Sequence, residues 1–205
     1  MIVLGLTGSI GMGKSSSAGM LRHLGVPVHD SDATVHGLFA FDMELRTALD
    51  ARFPGVVVEG GVDRAALGAA VFGDDRSRAS LEAIVHPRVR AAAAAFVRNH
   101  RRQRTPLVVL DVPLLFETGS EDRVDGVIVV SAPEWLQRRR VLARPGMTVE
   151  KFDAVLASQM PDQEKRRRAD FVVETGAGRA YTFRRLKRII MAVCAAARLG
   201  PPSRI

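Results

Sequence analysis

Cysteine is almost absent: Cys194 stands alone in 205 residues. That excludes an internal disulfide framework and any zinc site assembled from cysteine pairs, and it fits a reducing compartment. Aromatic residues are also few. Trp135 and Tyr181 are the single representatives of their types, and neither has companions that would make a base-stacking platform. Long apolar runs are missing. The stretch from Met1 to Gly13 is apolar, but Lys14 interrupts it well short of a bilayer span, and it lacks the basic start of a signal peptide. A soluble cytoplasmic protein with no membrane partner is expected. Lysine is the last scarcity. Of 30 basic residues only Lys14, Lys151, Lys165 and Lys187 are lysine, and the other 26 are arginine.

What is present is ordinary globular composition, 47% hydrophobic and 25% charged, which excludes wholesale disorder. The length suits one core with insertions. The formal charge of +8 and a pI near 10.8 favour anionic partners: nucleic acid, acidic membranes or phosphorylated small molecules.

Short, continuously apolar segments at residues 2–6, 26–29, 107–112, 126–130 and 171–173 read as buried strands. Helical patterns lie between them, at 15–24, through much of 33–104, after Pro133, after Thr148 and from Tyr181 to Leu199. Asp63 and Thr148 are candidate N-caps. A long helix is expected to begin at Pro87, with His86 at its start. Gly200-Pro201-Pro202-Ser203 reads as a tail. Alternating strands and helices with no polar strand face predict an α/β chain whose parallel sheet is covered on both sides. Nucleotide ligands of such sheets bind at the carboxyl ends of the strands.

The first strand runs into Gly8-Ser9-Ile10-Gly11-Met12-Gly13-Lys14-Ser15, which matches G-x-x-x-x-G-K-[ST], and a helix follows. Glycines allow successive N–H groups to converge on phosphate oxygens, and the helix N-terminus adds positive potential. Lys14 supplies a point charge to the β- and γ-phosphates, and the Ser15 hydroxyl can ligate Mg²⁺. Ser9 to Ser16 are therefore the candidate triphosphate-binding residues. ATPases, GTPases and small-molecule kinases all share this loop, so it does not choose among them.

The rest of the chain resembles one family. LTGSIGMGKS followed by Asp30-Ser31-Asp32-Ala33, Val62 to Leu67 before Val71-Phe72, Leu81 to Val89 around His86-Pro87, Leu110 to Glu117, Gln137 to Arg144, and Gln159, Lys165, Ala169 and Asp170 occur in the order found in dephospho-CoA kinases. The resemblance spans residues 2 to about 176. It implies transfer of the ATP γ-phosphoryl group to the ribose 3′-hydroxyl of dephospho-CoA, the last step of coenzyme A synthesis, with Mg²⁺. It implies a three-layer P-loop fold: a core of residues 1–32, 105–137 and 169–205, a helical acceptor-binding insertion at 33–104, and a lid at 138–168.

By the same resemblance Asp32 is the catalytic carboxylate, and Arg64, Pro113 and Leu114 meet the acceptor; His86 is either a further acceptor contact or a helix-start histidine making a local hydrogen bond. Asp111, ending a buried strand, is a candidate Mg²⁺ ligand beside Ser15, or a simple strand-end cap. Arg140 and Arg144 are the lid arginines on the phosphates; four apart, they are expected to share a helix face. Arg166-Arg167-Arg168 read as solvated lid surface. The chain departs from the family pattern at Glu174-Thr175, where many members carry an Asn-containing turn that approaches adenine. ATP and dephospho-CoA are the expected partners of a monomer or weak homo-oligomer, without nucleic acid. Two other readings stay open: a nucleoside monophosphate kinase of similar architecture, and a nucleic-acid-binding or nucleotide-gated ATPase suggested by the charge.

Overall fold

The structure is a computed structural model and describes residues 1–199. The tail expected at 200–203 lies outside them. The chain divides into two compact units, one made of residues up to His29 together with those from Asn99 onward, the other of Asp30–Arg98.

The first unit is built on a five-stranded sheet. Its strands are β1 (Ile2–Thr7), β2 (Val28–Asp30), β5 (Leu107–Asp111), β6 (Gly126–Ser131) and β7 (Phe171–Glu174), in the order β2-β5-β1-β6-β7. The pairings β1–β5, β1–β6 and β6–β7 are parallel. The apolar runs are buried on both faces because alternate residues enter different cores. Leu4, Leu6, Ile128 and Val130 pack with α1 (Lys14–His23) and with Leu186 and Ile189 of α9 (Arg179–Leu199). Val127 and Val129 pack with Leu115 and Phe116 on the other side. Strand β1 lies between two later strands, so the order reverses at β1, where the glycine loop leaves the sheet. That is the switch point at which such sheets take their ligands.

Three further helices complete this unit: α6 (Glu134–Leu142), α7 (Val149–Ala157) and α8 (Asp162–Arg168). Thr148 caps α7 as expected, its hydroxyl accepting from the Lys151 N–H. Helix α6 is shorter than its charge pattern suggested. It closes at Ala143, and Arg144 precedes Pro145, whose ring disfavours helical backbone before it. Arg144 is exposed beyond the helix and shares no helical face with Arg140.

The second unit holds α2 (Ser31–Phe41), α3 (Met43–Arg52), a hairpin of β3 (Val57–Val58) and β4 (Gly61–Val62), α4 (Arg64–Val71) and most of α5 (Asp75–Arg102). Asp30, Asp42 and Asp63 cap α2, α3 and α4 through their carboxylates. Phe39, Leu45, Leu49, Phe53, Val56, Leu67 and Val85 form its core. The hairpin was not visible in the sequence, because two-residue strands carry no periodicity. Helix α5 does not start at Pro87: it begins twelve residues earlier and runs straight through the proline. A mid-helix proline costs about 3 kcal/mol. Val85 lies within the core and Leu81, Ile84 and Val89 pack against it on both sides of the proline, so the helix is held there by packing. His86 is therefore a half-buried mid-helix residue.

Candidate active site

The loop between β1 and α1 is shaped by contacts that only glycine tolerates. Gly13 precedes α1 with φ 91°, a left-handed conformation that costs other residues strain. At Gly11 a Cβ would come within 2.5 Å of Val141 Cγ2, so α6 lies directly against the loop. Met12 and Ser9 are buried; the Met12 side chain belongs to the core and its Sδ accepts from the Ala132 N–H at 3.1 Å. Of the expected phosphate-binding residues, Met12 can therefore contribute only backbone. The hydroxyl-bearing side chains of Ser15 and Ser16 are exposed in the first turn of α1.

Lys14 Nζ donates to Asp111 Oδ1 at 2.6 Å. The loop cation and the buried carboxylate at the end of β5 are thus direct partners. Thr7, fully buried at the end of β1, donates from its hydroxyl to the Pro113 carbonyl at 3.0 Å. This ties the loop after β5 to the strand that carries the phosphate loop. Leu114 is exposed beside it.

Arg140 reaches the loop from α6. Its Nη1 donates to Gly11 O at 3.3 Å and to Thr175 Oγ1 at 3.0 Å, and its Nη2 donates to Thr175 O at 2.9 Å. The Thr175 hydroxyl in turn donates to Met12 O at 2.7 Å. At the position where the chain departs from the family pattern, a threonine joins Arg140 to the glycine loop. Two glutamines also act on the loop: Gln159 Oε1 accepts from the Ile10 N–H at 3.0 Å, and Gln137 Nε2 donates to Ile10 O at 2.8 Å.

Helix α8 is fastened to the sheet. Lys165, with no exposed surface, pairs with Glu117 Oε1 at 2.8 Å, and that oxygen also accepts from the Met160 N–H at 2.9 Å. Asp162 accepts from Ser131 Oγ at 2.7 Å, and Arg166 pairs with Glu174 at 3.0 Å. Arg168 pairs with Glu121 and lies over the Phe116 ring. Arg166 and Arg168 are exposed, as expected from their run, and are also ion-paired. Arg167 pairs only within its own helix and remains exposed.

In the second unit, Asp30 is an N-cap, its carboxylate accepting from the Ala33 N–H at 3.0 Å. Asp32 follows in the first turn of α2, exposed, and its carboxylate has no hydrogen-bond or ion-pair partner among the described residues. Arg64 donates to His36 Nε2 at 3.0 Å. Arg88 bridges Asp42 at 2.8 Å and Glu44 at 3.3 Å. The Leu45 amide, helped by Arg88, holds the Asp42 carboxyl below the usual aspartate range. The sequence reading missed His36, Gln137, Thr175 and the Glu117–Lys165 pair. Gln159 and Lys165 stood inside segments of family resemblance, but nothing in their spacing announced partners.

Ser15 and Asp111 offer a hydroxyl and a carboxylate, hard oxygen donors that suit Mg²⁺, which keeps most of its ligands as water or phosphate. The described residues contain no cluster of three His, Cys, Asp or Glu side chains that could hold a metal unaided. Nor is any described helix long and apolar enough to cross a membrane.

Comparison with known proteins identifies the family. The dephospho-CoA kinase family model matches residues 2–180. A dephospho-CoA kinase of Paramagnetospirillum magneticum is 67% identical over 166 residues, covering 81% of this chain and 78% of that protein. One from Mesorhizobium japonicum is 59% identical over 178 residues, covering 87% and 89%. Among solved structures, TT1252 from Thermus thermophilus superposes with a TM-score of 0.80 at 41% identity, over 93% of this chain and 96% of that one. The dephospho-CoA kinase from Campylobacter jejuni shares the fold, with a TM-score of 0.64 at 24% identity over 93% and 96%. The chain belongs to the dephospho-CoA kinase family.

Proposed function

We propose a division of labour among these residues for the reaction of this family, transfer of the ATP γ-phosphoryl group to the ribose 3′-hydroxyl of dephospho-CoA, which completes coenzyme A. The observation that carries it is the loop itself. Lys14 opens α1 directly after the glycine-rich turn and pairs with Asp111 at the carboxyl end of β5. Such a cradle binds a triphosphate by its charge and its fixed donors.

Lys14 stabilises charge on the transferring group, and Arg140, anchored beside Gly11, supplies a planar donor fork near the same loop. Arg144, exposed past the end of α6, is available to the phosphates once the segment around it folds over them. Asp32 accepts the proton of the 3′-hydroxyl as it attacks. Its free, exposed carboxylate supports that role, in contrast to Asp30, which is committed to capping. Arg64 with His36, His86, and the Pro113-Leu114 loop form the acceptor contacts. Ser15 and Asp111 would hold Mg²⁺, whose contribution when bound is to neutralise charge on the phosphate oxygens.

We assign residues 1–32, 105–137 and, among the described residues, 169–199 to the core, 33–104 to acceptor binding and 138–168 to the lid. Within the lid, the ties of Arg140 to Gly11 and Thr175, of Gln159 to Ile10, and of α8 to Ser131, Glu117 and Glu174 favour the stretch between them, 144–158, as the part that moves. ATP with Mg²⁺, a cytoplasmic location and a monomer or weak homo-oligomer complete the reading. The test is ADP release from ATP–Mg²⁺ with dephospho-CoA, against AMP, CMP and no acceptor. Acceleration by dephospho-CoA alone is expected, and none with it overturns the reading.

A further inference from the structure

Ile10 lies in the middle of the phosphate loop, and its two peptide groups are held from opposite sides by side chains remote in sequence. Its N–H donates to Gln159 Oε1 at 3.0 Å, across 149 residues. Its carbonyl accepts from Gln137 Nε2 at 2.8 Å, across 127 residues. Gln137 is buried on α6, the helix packed against Gly11. Gln159 is half-buried in the corner between α7 and α8. That corner is fixed without help from the loop: the next residue, Met160, donates its N–H to Glu117 at 2.9 Å, and Glu117 is paired with the fully buried Lys165 at 2.8 Å.

The chemistry of the contact at 159 differs from what stability alone would select. At 159 the protein needs an acceptor for an N–H. Glutamate has the same shape, and its carboxylate would make the stronger bond. A neutral amide stands there instead. The relevant difference is charge, because the loop is one peptide away from where a polyanion is to bind. A carboxylate at 159 would repel that polyanion across a short, partly desolvated path. At 137 the requirement is a donor, which glutamate lacks when ionised.

We propose that Gln159 and Gln137 are positioning residues for ATP. Their amides pin the Ile10 peptide groups in the orientation the phosphate loop requires, and they do so without placing negative charge beside the triphosphate. This rests on the reading of residues 8–15 as the triphosphate cradle. It makes the loop's shape depend on helices α6 to α8 as well as on its own glycines.

The test compares wild type, Gln159→Glu, Gln159→Ala and Lys14→Ala by calorimetric titration with ATP and with adenosine, together with KM for dephospho-CoA and thermal midpoints. Gln159→Glu should keep the wild-type midpoint within a few degrees, weaken ATP by about tenfold or more, and leave adenosine affinity and the KM for dephospho-CoA within about twofold. Gln159→Ala, which loses the pin but adds no charge, should weaken ATP less. ATP binding at wild-type strength in Gln159→Glu overturns the proposal, as does equal weakening in the two Gln159 variants. Parallel loss of ATP, adenosine and thermal stability marks a merely structural residue and also overturns it. Lys14→Ala separates the two levels: if it binds ATP like wild type, the cradle reading itself fails, whereas loss there with retention in Gln159→Glu defeats the present inference alone.

Discussion

Lys14 Nζ lies 2.6 Å from Asp111 Oδ1, so the cation of the glycine loop and the carboxylate that ends β5 neutralise each other. Both are largely sheltered from water, the carboxylate almost completely. Removing one member of such a pair strands the other, at a typical cost of about 3–5 kcal/mol when burial is complete. The same pairing sets a competition, because an arriving phosphate must share Lys14 with Asp111.

Asp111→Asn separates the two roles of that carboxylate. It should raise the Mg²⁺ concentration needed for half-maximal rate severalfold. In metal-free buffer it should tighten ATP, because Lys14 no longer shares its charge and one anion leaves the loop. Mg²⁺ titrations of the rate and metal-free ATP binding read the two effects. An unchanged Mg²⁺ titration would remove Asp111 from the metal site.

Asp32→Asn should keep ATP affinity and lose kcat by about 10²–10⁴-fold, the usual worth of a positioned general base. Steady-state kinetics with both substrates checks it. Near-normal turnover would return Asp32 to the bland role of an acidic residue in the first turn of α2.

Arg140→Ala should lower kcat more than it raises the KM for dephospho-CoA, because its fork serves the phosphate loop through Gly11 and Thr175. Arg140→Lys should not rescue it, since one ammonium cannot span the Thr175 carbonyl and hydroxyl as the guanidinium does. A folded Arg140→Ala with unchanged kcat would contradict the assignment.

Lys165→Met leaves the half-buried Glu117 without its cation. The expected loss is at most about 3–5 kcal/mol, the cost for a fully buried pair, or up to roughly 6–20 °C in thermal midpoint for a chain of this size. The double variant Glu117→Gln with Lys165→Met should recover most of it, since glutamine can still accept from Met160 and no charge remains unpaired. A double variant as unstable as the single one would mean that packing, and not the ion pair, fixes α8.

The Leu45 amide and then Arg88 favour the ionised form of Asp42, so its carboxyl is held below the usual aspartate range in the folded protein. Its contribution to stability is therefore complete above the unfolded aspartate range and is lost as pH falls through the lower folded value. Stability of wild type minus that of Asp42→Asn should be constant near neutrality and shrink only in acid below pH ~4. Denaturant melts across pH measure this, and a difference that grows on acidification would reverse the sign and refute it.

Legibility followed the range of the forces involved. The strand, glycine turn and helix at residues 2–23 could be read directly, as could the Asp63 and Thr148 caps, because each depends on neighbours a few residues away. Burial of both sheet faces was readable from continuously apolar strands. Helix ends were harder. Pro87 read as a start, yet packing around Val85 carries α5 through it, while Pro145 ends the run that would have put Arg144 beside Arg140.

Glycine spacing and apolar periodicity, local properties of the chain, were enough to read a triphosphate loop and an α/β sheet, and the order of short motifs carried the family resemblance. Only the tertiary structure decided what each polar group near the loop is bonded to. Gln159 meets Ile10 across 149 residues, Thr175 meets Met12 across 163, and Lys14 meets Asp111 across 97. Those bonds exist because parallel strands bring the ends of β1, β5, β6 and β7 to one edge of the sheet. No pattern along the chain records which side chains then fall within 3 Å of one another.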